Sequence, residues 1–283
     1  MHVKIYSLIT LIVLAFSALS CNKAETLVSE TDGQITVTYN VTFDAQTKAT
    51  GQGESANYVW CAVYKAEQTD GVVSYTLSDQ PSLFPLNGGN AVCDVKMVRD
   101  QSYKVVFVAQ HYEGTHPAYI IDPAQATLYM PQTAVANSDN YDLFGYVDTV
   151  EQFNGNGGKS ITLSRMVSQI NFVADETDLS EAAQEGKTPT HSKVNLGGVP
   201  EYISLLEGTP SESKVAVEYE KAQLTGTPNQ LATVFCLSSP ECNNISASLY
   251  IYIGEQCVKE YTAIAEIPTQ TNYRTNIKVD YTF

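Results

Sequence analysis

Apolar and polar residues alternate with a period of two in several segments, and this periodicity most constrains the fold. It is clearest in Gln34–Asp44 (QITVTYNVTFD) and Asn272–Phe283 (NYRTNIKVDYTF), where apolar side chains fall on alternate positions. Such segments form half-buried strands, because successive side chains of a strand point to opposite faces. Two further runs, Asn57–Lys65 and Ser102–Tyr112, are apolar on both faces, which predicts central strands. No stretch shows a long helical period, so the fold class is predicted to be all-β.

The segment Lys159–Ala174 (KSITLSRMVSQINFVA) changes phase in its middle. In strand alternation Leu163 points to one side, whereas Met166 and Phe172 point to the other. The change near Arg165 indicates a β-bulge or a strand that passes from one sheet to another. A helix is the alternative, because four apolar residues also follow the i, i+3, i+4, i+7 spacing. The β-branched and serine-rich flanks favour the strand.

A joint rich in glycine and asparagine, Phe153–Gly158, precedes that segment and indicates a domain boundary. The 283 residues suffice for one large domain or for two of about 100–150 residues each. We predict a signal peptide over 1–20, a tether over 21–33, a first β-sandwich domain over 34–158 and a second over 159–283. The segment Lys159–Ala174 is expected to open the second domain.

The first residues have the pattern of a bacterial export signal. Lys4 precedes an apolar core, Ile5–Phe16, and small residues then lead to Cys21. The core is shorter than the roughly 20 residues that span a bilayer, so a cleaved signal is predicted. Ala18-Leu19-Ser20-Cys21 resembles a lipobox, which predicts lipidation of Cys21 and anchoring to a membrane. Ordinary signal-peptidase cleavage at the same bond is the alternative.

The chain is strongly acidic, and this excludes one class of partner. Its formal net charge is −15, and removal of residues 1–20 takes away Lys4 and no acidic residue, which gives −16. A surface of this charge repels nucleic acid, so no nucleic-acid partner is predicted. We expect the protein at the outer membrane or cell surface, lipid-anchored, with a periplasm-facing position as the alternative.

Five cysteines remain after Cys21, and none belongs to a C-x-x-C pair. They are Cys61, Cys93, Cys236, Cys242 and Cys257. An odd number cannot pair completely within one chain, although Cys236 and Cys242 flank a turn and could close a small loop. The absence of C-x-x-C argues against zinc and against a thioredoxin motif. Small buried thiols are the expected role.

Motifs for chemistry are weak throughout the sequence. Gly155–Ser160 (GNGGKS) resembles a phosphate loop, but Phe153 stands where that motif needs glycine and a strand pattern follows. His111 and His116 flank Glu113 in HYEGTH, which reads as an exposed loop without a fourth metal ligand. No G-x-S-x-G, no H-E-x-x-H and no Ser/His/Asp set is present. We therefore predict no catalytic residues, no metal and no cofactor, and thus a protein that is not an enzyme.

Five segments together resemble the Bacteroidetes fimbrillin-like family, exported lipoproteins related to type V pilus subunits and their accessory proteins. They occur in family order: GESANYVWCAVYK (Gly53–Lys65), VRDQSYKVVFVAQ (Val98–Gln110), YDLFG (Tyr141–Gly145), ITLSRMVSQINF (Ile161–Phe172) and IPTQTNYRTNI (Ile267–Ile277). The resemblance implies two tandem transthyretin-like β-sandwich domains. It also implies a structural role in a fimbria, or pilus, of the cell surface.

In polymerising members of that family, a protease cuts in the loop after the first strand, usually behind arginine. The matching loop here has Lys48 in that place. Loss of the first strand opens a groove for a neighbour's strand, so other fimbrial subunits are the expected partners. A tip, anchor or accessory subunit is the alternative within the family.

A glycan-binding outer-membrane surface lipoprotein is the alternative function, since it would share the signal, the acidity and the β-sandwiches. It would expose at least two aromatic rings on one platform, and Tyr250 and Tyr252 in SLYIYIG are the candidates. Which host or bacterial surface ligand the protein contacts does not follow from the sequence.

Overall fold

The computed structural model describes residues 33–43, 55–155 and 157–283 and consists mainly of strands. The strands up to residue 165 are β1 (Gln34–Phe43), β2 (Tyr58–Thr69), β3 (Val72–Leu77), β4 (Ser82–Pro85), β5 (Ala91–Val98), β6 (Tyr103–Gln110), β7 (Tyr112–Glu113), β8 (His116–Pro117), β9 (Ile120–Asp122), β10 (Thr127–Tyr129), β11 (Thr133–Val135), β12 (Phe144–Val150) and β13 (Gly158–Arg165).

The later strands are β14 (Val167–Val173), β15 (His191–Pro200), β16 (Tyr202–Ser204), β17 (Lys214–Gln223), β18 (Gln230–Leu237), β19 (Asn243–Ile253), β20 (Gln256–Thr269) and β21 (Arg274–Lys278). One α-helix, α1 (Glu176–Gln184), and a 3-10 turn, Asp139–Tyr141, are the described helical elements. The all-β prediction is confirmed. Among the described residues, no helix is both long and apolar enough to cross a bilayer.

The first sheet runs in the order β3-β2-β6-β12-β13-β1-β5, with β4 also paired to β2. It bends at β12 and β13, which pair only where Phe144 and Gly145 meet Arg165 and Ser164. The bend places β1 over β6, so that the ring of Tyr39 lies 4.8 Å from that of Phe107, on a strand that does not pair with β1. The two halves of the sheet thus form a sandwich around a closed apolar core.

The chain leaves this sandwich at Met166. β13 pairs with β1 and β12 in the first sheet, whereas β14 pairs with β18 and β21 in another. A strand that passes between sheets was one of the two outcomes predicted from the change of phase. The stretch Gly158–Arg165 therefore belongs to the first sheet, although Lys159–Ala174 was expected to open the second domain. The joint Phe153–Gly158 connects β12 and β13, two strands that pair with each other. A turn and an interdomain linker share the same glycine-rich composition, so the sequence did not distinguish them.

The second sandwich consists of a five-stranded sheet, β11-β17-β15-β19-β20, and a three-stranded sheet, β18-β14-β21. Their apolar faces meet around Tyr219, whose hydroxyl on β17 donates to the carbonyl of Phe235 on β18 at 2.5 Å. Both side chains are fully buried. This core holds the inner faces of the two sheets together.

The residues between 118 and 143 join the two sandwiches. β10 pairs with β16, and β11 pairs in parallel with β17, so this early segment is part of the later sheets. On its other side, the Tyr64 hydroxyl of the first sheet donates to the carbonyl of Pro123 at 2.8 Å. Leu128 belongs to one buried cluster that extends from Tyr64 to Phe172. The division into domains 34–158 and 159–283 as separate folding units stays a prediction.

The long strand β15 does not show in the sequence. It lies in a polar stretch whose composition is typical of a loop, yet Ser192, Val194 and Leu196 are buried on alternate positions. Only two of these three residues are apolar, and the following Gly197-Gly198 pair indicates a loop. The strand forms because it pairs on both edges, with β17 and β19.

Candidate functional site

The first strand, β1, lies inside the first sheet and is paired on both edges. Gln34–Val41 pairs antiparallel with β5, and Thr38–Phe43 pairs in parallel with β13. The amphipathic strand predicted over Gln34–Asp44 is confirmed over Gln34–Phe43. Its removal would therefore open a slot between β5 and β13 with two rows of unpaired backbone groups.

The inward side chains of β1 form part of the core. Ile35, Val37, Tyr39 and Val41 are each at most 1 % exposed. Burial of such side chains stabilises a fold by about 1.5–3 kcal/mol each, so an empty slot exposes apolar surface that favours refilling. The slot is shaped for a strand with apolar side chains on alternate positions.

A buried polar contact holds the middle of β1. The Tyr39 hydroxyl donates to Asp148 Oδ2 at 2.7 Å, and Lys159 Nζ lies 2.6 Å from the same oxygen. Burial raises the pKa of Tyr39, and the hydrogen bond to the carboxylate of Asp148 raises the pKa further. The phenol therefore stays protonated and bonds β1 to β12. The side chain of Asp148 is only 12 % exposed.

The described part of β1 ends at Phe43, whose ring packs edge-on against Phe144 at 4.7 Å. The chain is described again from Ser55. The processing residue Lys48 lies outside the described residues, and so does the lipidation residue Cys21. Proteolytic processing and lipidation stay predictions.

Two of the segments behind the family resemblance meet at the bend of the first sheet. Arg165 binds Asp142 through Nε at 2.6 Å and through Nη2 at 2.7 Å, and both side chains are buried. Next to them, a Cβ atom on Gly145 would lie 2.3 Å from Met166 Sδ and 3.2 Å from the Phe107 carbonyl oxygen. YDLFG and ITLSRMVSQINF therefore form one corner, β12 against β13.

The Asp142–Arg165 pair does not show in the sequence, because its two members lie 23 residues apart. Burial is the largest influence on the pKa of Asp142 and raises it, while the hydrogen bonds and charge of Arg165 lower it. The signal was that each charged residue directly precedes two apolar residues, Leu143 and Phe144 after Asp142, and Met166 and Val167 after Arg165. A charged residue in such a run needs a partner when the run is buried.

The weaker chemical motifs stay apart from this corner. A strand, β13, follows the glycine-rich Gly155–Ser160, as predicted, instead of the helix that a phosphate loop needs. The His111 Nδ1 lies 2.7 Å from the Ser55 carbonyl, and His116 is exposed. Within the described ranges, no three side chains of His, Cys, Asp or Glu converge as metal ligands.

Tyr250 and Tyr252 lie on the outer face of the five-stranded sheet, and both are half-buried. The ammonium of Lys221 lies 5.2 Å from the centre of the Tyr252 ring and also binds Glu255 at 2.5 Å. Lys193 of β15 lies opposite Tyr250 in the strand register, and its ammonium group binds the carboxylate of Glu218. One face of the Tyr252 ring is therefore occupied by a cation of the protein itself.

The chain matches the model of a family of unknown function, DUF6562, over residues 25–280. No curated protein matches it. A candidate polysaccharide-binding protein from Bacteroides thetaiotaomicron is similar in structure, with 11 % identity, a TM-score of 0.49, and coverage of 87 % of this chain and 92 % of the other.

Two further solved structures are similar. A candidate adhesin from Bacteroides ovatus has 12 % identity and a TM-score of 0.47, with 87 % of this chain and 88 % of the other covered. A fimbrial assembly protein from Parabacteroides distasonis has 11 % identity and a TM-score of 0.44, with 87 % and 90 % covered. The fold described above rests on the strand pairing of this chain.

Proposed function

This chain belongs to the DUF6562 family of unknown function, and we propose that it is a non-enzymatic surface lipoprotein that serves as a structural or accessory subunit of a fimbria. The observation that carries the proposal is the position of β1, the first described strand of the chain, inside a sheet. Among the described residues, β1 is joined covalently to the rest of the fold only through the segment that follows Phe43. A single cut in that segment frees it.

The proposed assembly step is strand replacement. Proteolysis behind Lys48 severs β1 from the remainder, since loop tips with small polar residues are preferred sites of cleavage. Departure of β1 leaves the edges of β5 and β13 unpaired. A strand of a neighbouring subunit then pairs with both edges and buries its apolar side chains in the core.

The C-terminal residues do not serve as the incoming strand in this conformation. Tyr281 is fully buried, and its hydroxyl donates to the carbonyl of Lys187 at 3.1 Å. The backbone N–H of Val279 donates to the backbone carbonyl of Val173 at 2.9 Å. The strand that fills the slot therefore comes from elsewhere in a neighbouring subunit, and this chain is the acceptor.

The proposed location follows from the first residues. Lipidation at Cys21 would fix the N-terminal end of the tether to the outer membrane. The tether would end where β1 begins, so a cut behind Lys48 would leave β1 on the lipid and free the rest unless a partner holds it. A subunit that keeps β1 would act as an anchor, and one that loses it would be incorporated into the fibre.

Limited trypsin digestion tests this proposal. We expect the first cut behind Lys48, followed by oligomers that resist SDS. Lys48→Ala should prevent both, whereas Lys96→Ala, at an exposed position of β5, should prevent neither. A synthetic peptide of residues 34–44 should refill the slot and suppress the oligomers, and the same peptide with Val37→Asp should fail to do so.

A protein that is cut behind Lys48, loses β1 and stays monomeric at high concentration would contradict strand replacement. β1 would then be a permanent strand of the first sandwich, and an anchor or accessory role without exchange would remain.

A further inference from the structure

Two buried cysteines of the first sandwich lie on strands from its opposite halves. Cys61 of β2 is 3 % exposed and Cys93 of β5 is not exposed, and both belong to the same core cluster. Both are free thiols in this structure. No other cysteine belongs to the described part of that cluster.

The strand registers place these two side chains opposite each other. Cys93 pairs with Tyr39 across β5 and β1, and Cys61 pairs with Phe107 across β2 and β6. The rings of Tyr39 and Phe107 are in contact across the core, 4.8 Å apart. Each cysteine lies one strand away from that aromatic contact, Cys61 on the neighbour of β6 and Cys93 on the neighbour of β1. Both neighbours lie on the same side of the contact.

The two halves of the sheet come close at this side of the sandwich. Packed sheets usually lie about 10 Å apart. Here, by contrast, Cα atoms of β2 and β5 approach within 8 Å of one another. A disulfide needs Cα atoms about 4.4–6.8 Å apart, a separation that β2 and β5 would reach at the two cysteines when the bond forms.

We propose that Cys61 and Cys93 form a disulfide that joins the two halves of the first sandwich. The bond arises by thiol–disulfide exchange with a disulfide oxidant, either a small molecule or a protein. The thiolate of one cysteine attacks the oxidant and releases one of its sulfurs as a thiol. The second thiolate then attacks this mixed disulfide, which closes the Cys61–Cys93 bond and releases the second thiol of the oxidant.

The bond forms while the chain folds. Burial raises the pKa of Cys61 and raises that of Cys93 to about 12, and the charge of Cys93 further raises the pKa of Cys61. In the native fold both groups are therefore protonated thiols that water and oxidant do not reach. An exported chain meets the oxidant before its core closes.

The test maps disulfides in two preparations of the full chain. One is isolated from the cells that export it, with thiols alkylated at lysis. The other is unfolded with reductant, refolded with oxidised and reduced glutathione, and alkylated in denaturant. Lys65 lies between the two cysteines, so trypsin releases them on separate peptides that only a disulfide joins.

We expect the linked pair of peptides in at least one preparation, with both cysteines unalkylated and a mass lower by about 2 Da, two hydrogen atoms. The oxidised chain should also unfold at higher urea concentration than its reduced form, since the bond closes a loop in the unfolded chain. Complete alkylation of Cys61 and Cys93 in both preparations would overturn the proposal. The isolated preparation keeps the test valid if refolding fails.

Two variants give matched controls. Cys93→Ala should leave Cys61 fully alkylated and remove the difference in urea midpoint between oxidising and reducing conditions. Cys236→Ala removes a thiol buried in the other core and should leave the Cys61–Cys93 link intact. Pairing of Cys61 with any other cysteine in the wild-type chain would also overturn the assignment.

Discussion

At the scale of single residues, the corner between β12 and β13 depends on the buried pair Asp142–Arg165. The guanidinium of Arg165 also lies 5.1 Å from the centre of the Phe144 ring. A buried charge that loses its partner is costly, because neither water nor another group replaces the lost interaction. Loss of either partner of this buried pair should therefore be costly.

We predict that Arg165→Ala destabilises the fold by about 3–5 kcal/mol, because it leaves Asp142 buried without its partner. Urea denaturation of the variant measures the loss. The double variant Asp142→Leu with Arg165→Met replaces both charges by apolar groups and should lose much less. A loss in the double variant as large as that in Arg165→Ala would show that volume, and not charge, is decisive at this corner.

Gly145 next to that pair allows β12 to approach Met166. A Cβ atom there meets both the Met166 sulfur and the Phe107 backbone oxygen. We predict that Gly145→Ala destabilises by about 1–3 kcal/mol, as overpacking does in a filled core. In a double-mutant cycle with Met166→Ala, the combined loss should be smaller than the sum of the single losses. Strict additivity would contradict the proposed clash.

At the scale of elements, the C-terminal strand is shorter than its sequence pattern. Alternation predicted a strand over Asn272–Phe283, but β21 covers only Arg274–Lys278. Val279 and Tyr281 are buried, Ile277 is partly buried, and Phe283 is 51 % exposed. The expected burial is confirmed for Val279 and Tyr281, and it is wrong for Phe283. The ring of Phe283 instead contacts the ammonium groups of Lys187 and Lys259.

This difference predicts unequal effects of two aromatic substitutions near the C-terminus. Tyr281→Ala should cost about 3–5 kcal/mol, the usual loss for a large buried aromatic side chain. Phe283→Ala should change the free energy of unfolding by less than about 0.5 kcal/mol, as substitutions on the surface do. Chemical denaturation of both variants makes the comparison, and equal losses would contradict the assigned burial.

At the scale of the whole molecule, one buried cluster extends from Trp60 and Tyr64 through Leu128 to Phe172 and Tyr219. Lys104 of β6 adds a link, since its Nζ donates to the Leu206 carbonyl at 2.8 Å and binds Glu207 at 2.7 Å. The core of the second sandwich therefore extends onto the outer face of the first, whose inner core is a separate cluster.

We predict that both sandwiches unfold in one transition. Trp60, the single tryptophan, reports on the first sandwich by fluorescence, whereas circular dichroism reports on strands of both. The two urea curves should coincide, because loss of either sandwich exposes apolar side chains of the other in the shared cluster. A Trp60 transition separate from the main loss of strand signal would show independent domains.

A second prediction for the whole molecule concerns its anchor. Cys21→Ser should release the protein from membranes without changing its unfolding curve, because both cores lie within residues 35–281. Fractionation after a high-salt wash compares the variant with the wild type. Equal retention on membranes would contradict lipidation at Cys21, and a lowered unfolding midpoint would contradict its independence from the fold.

The sequence by itself determined the strands whose alternation is unambiguous. The sequence predicted β1 because its apolar residues lie on one face. It predicted β2 and β6 because both of their faces are apolar. These patterns are local consequences of strand geometry, so they need no knowledge of neighbours. The change of phase near Arg165 likewise predicted either a β-bulge or a passage between sheets, and the structure shows the passage.

Only the tertiary structure decided which strands pair and where charges find partners. Pairing between β1 and β13 joins residues far apart in sequence, and so does the bond of Asp148 to Tyr39. The residues adjacent in the sequence do not indicate such distant contacts. β15 shows the same limit, because its pairing on both edges outweighs a weak local pattern.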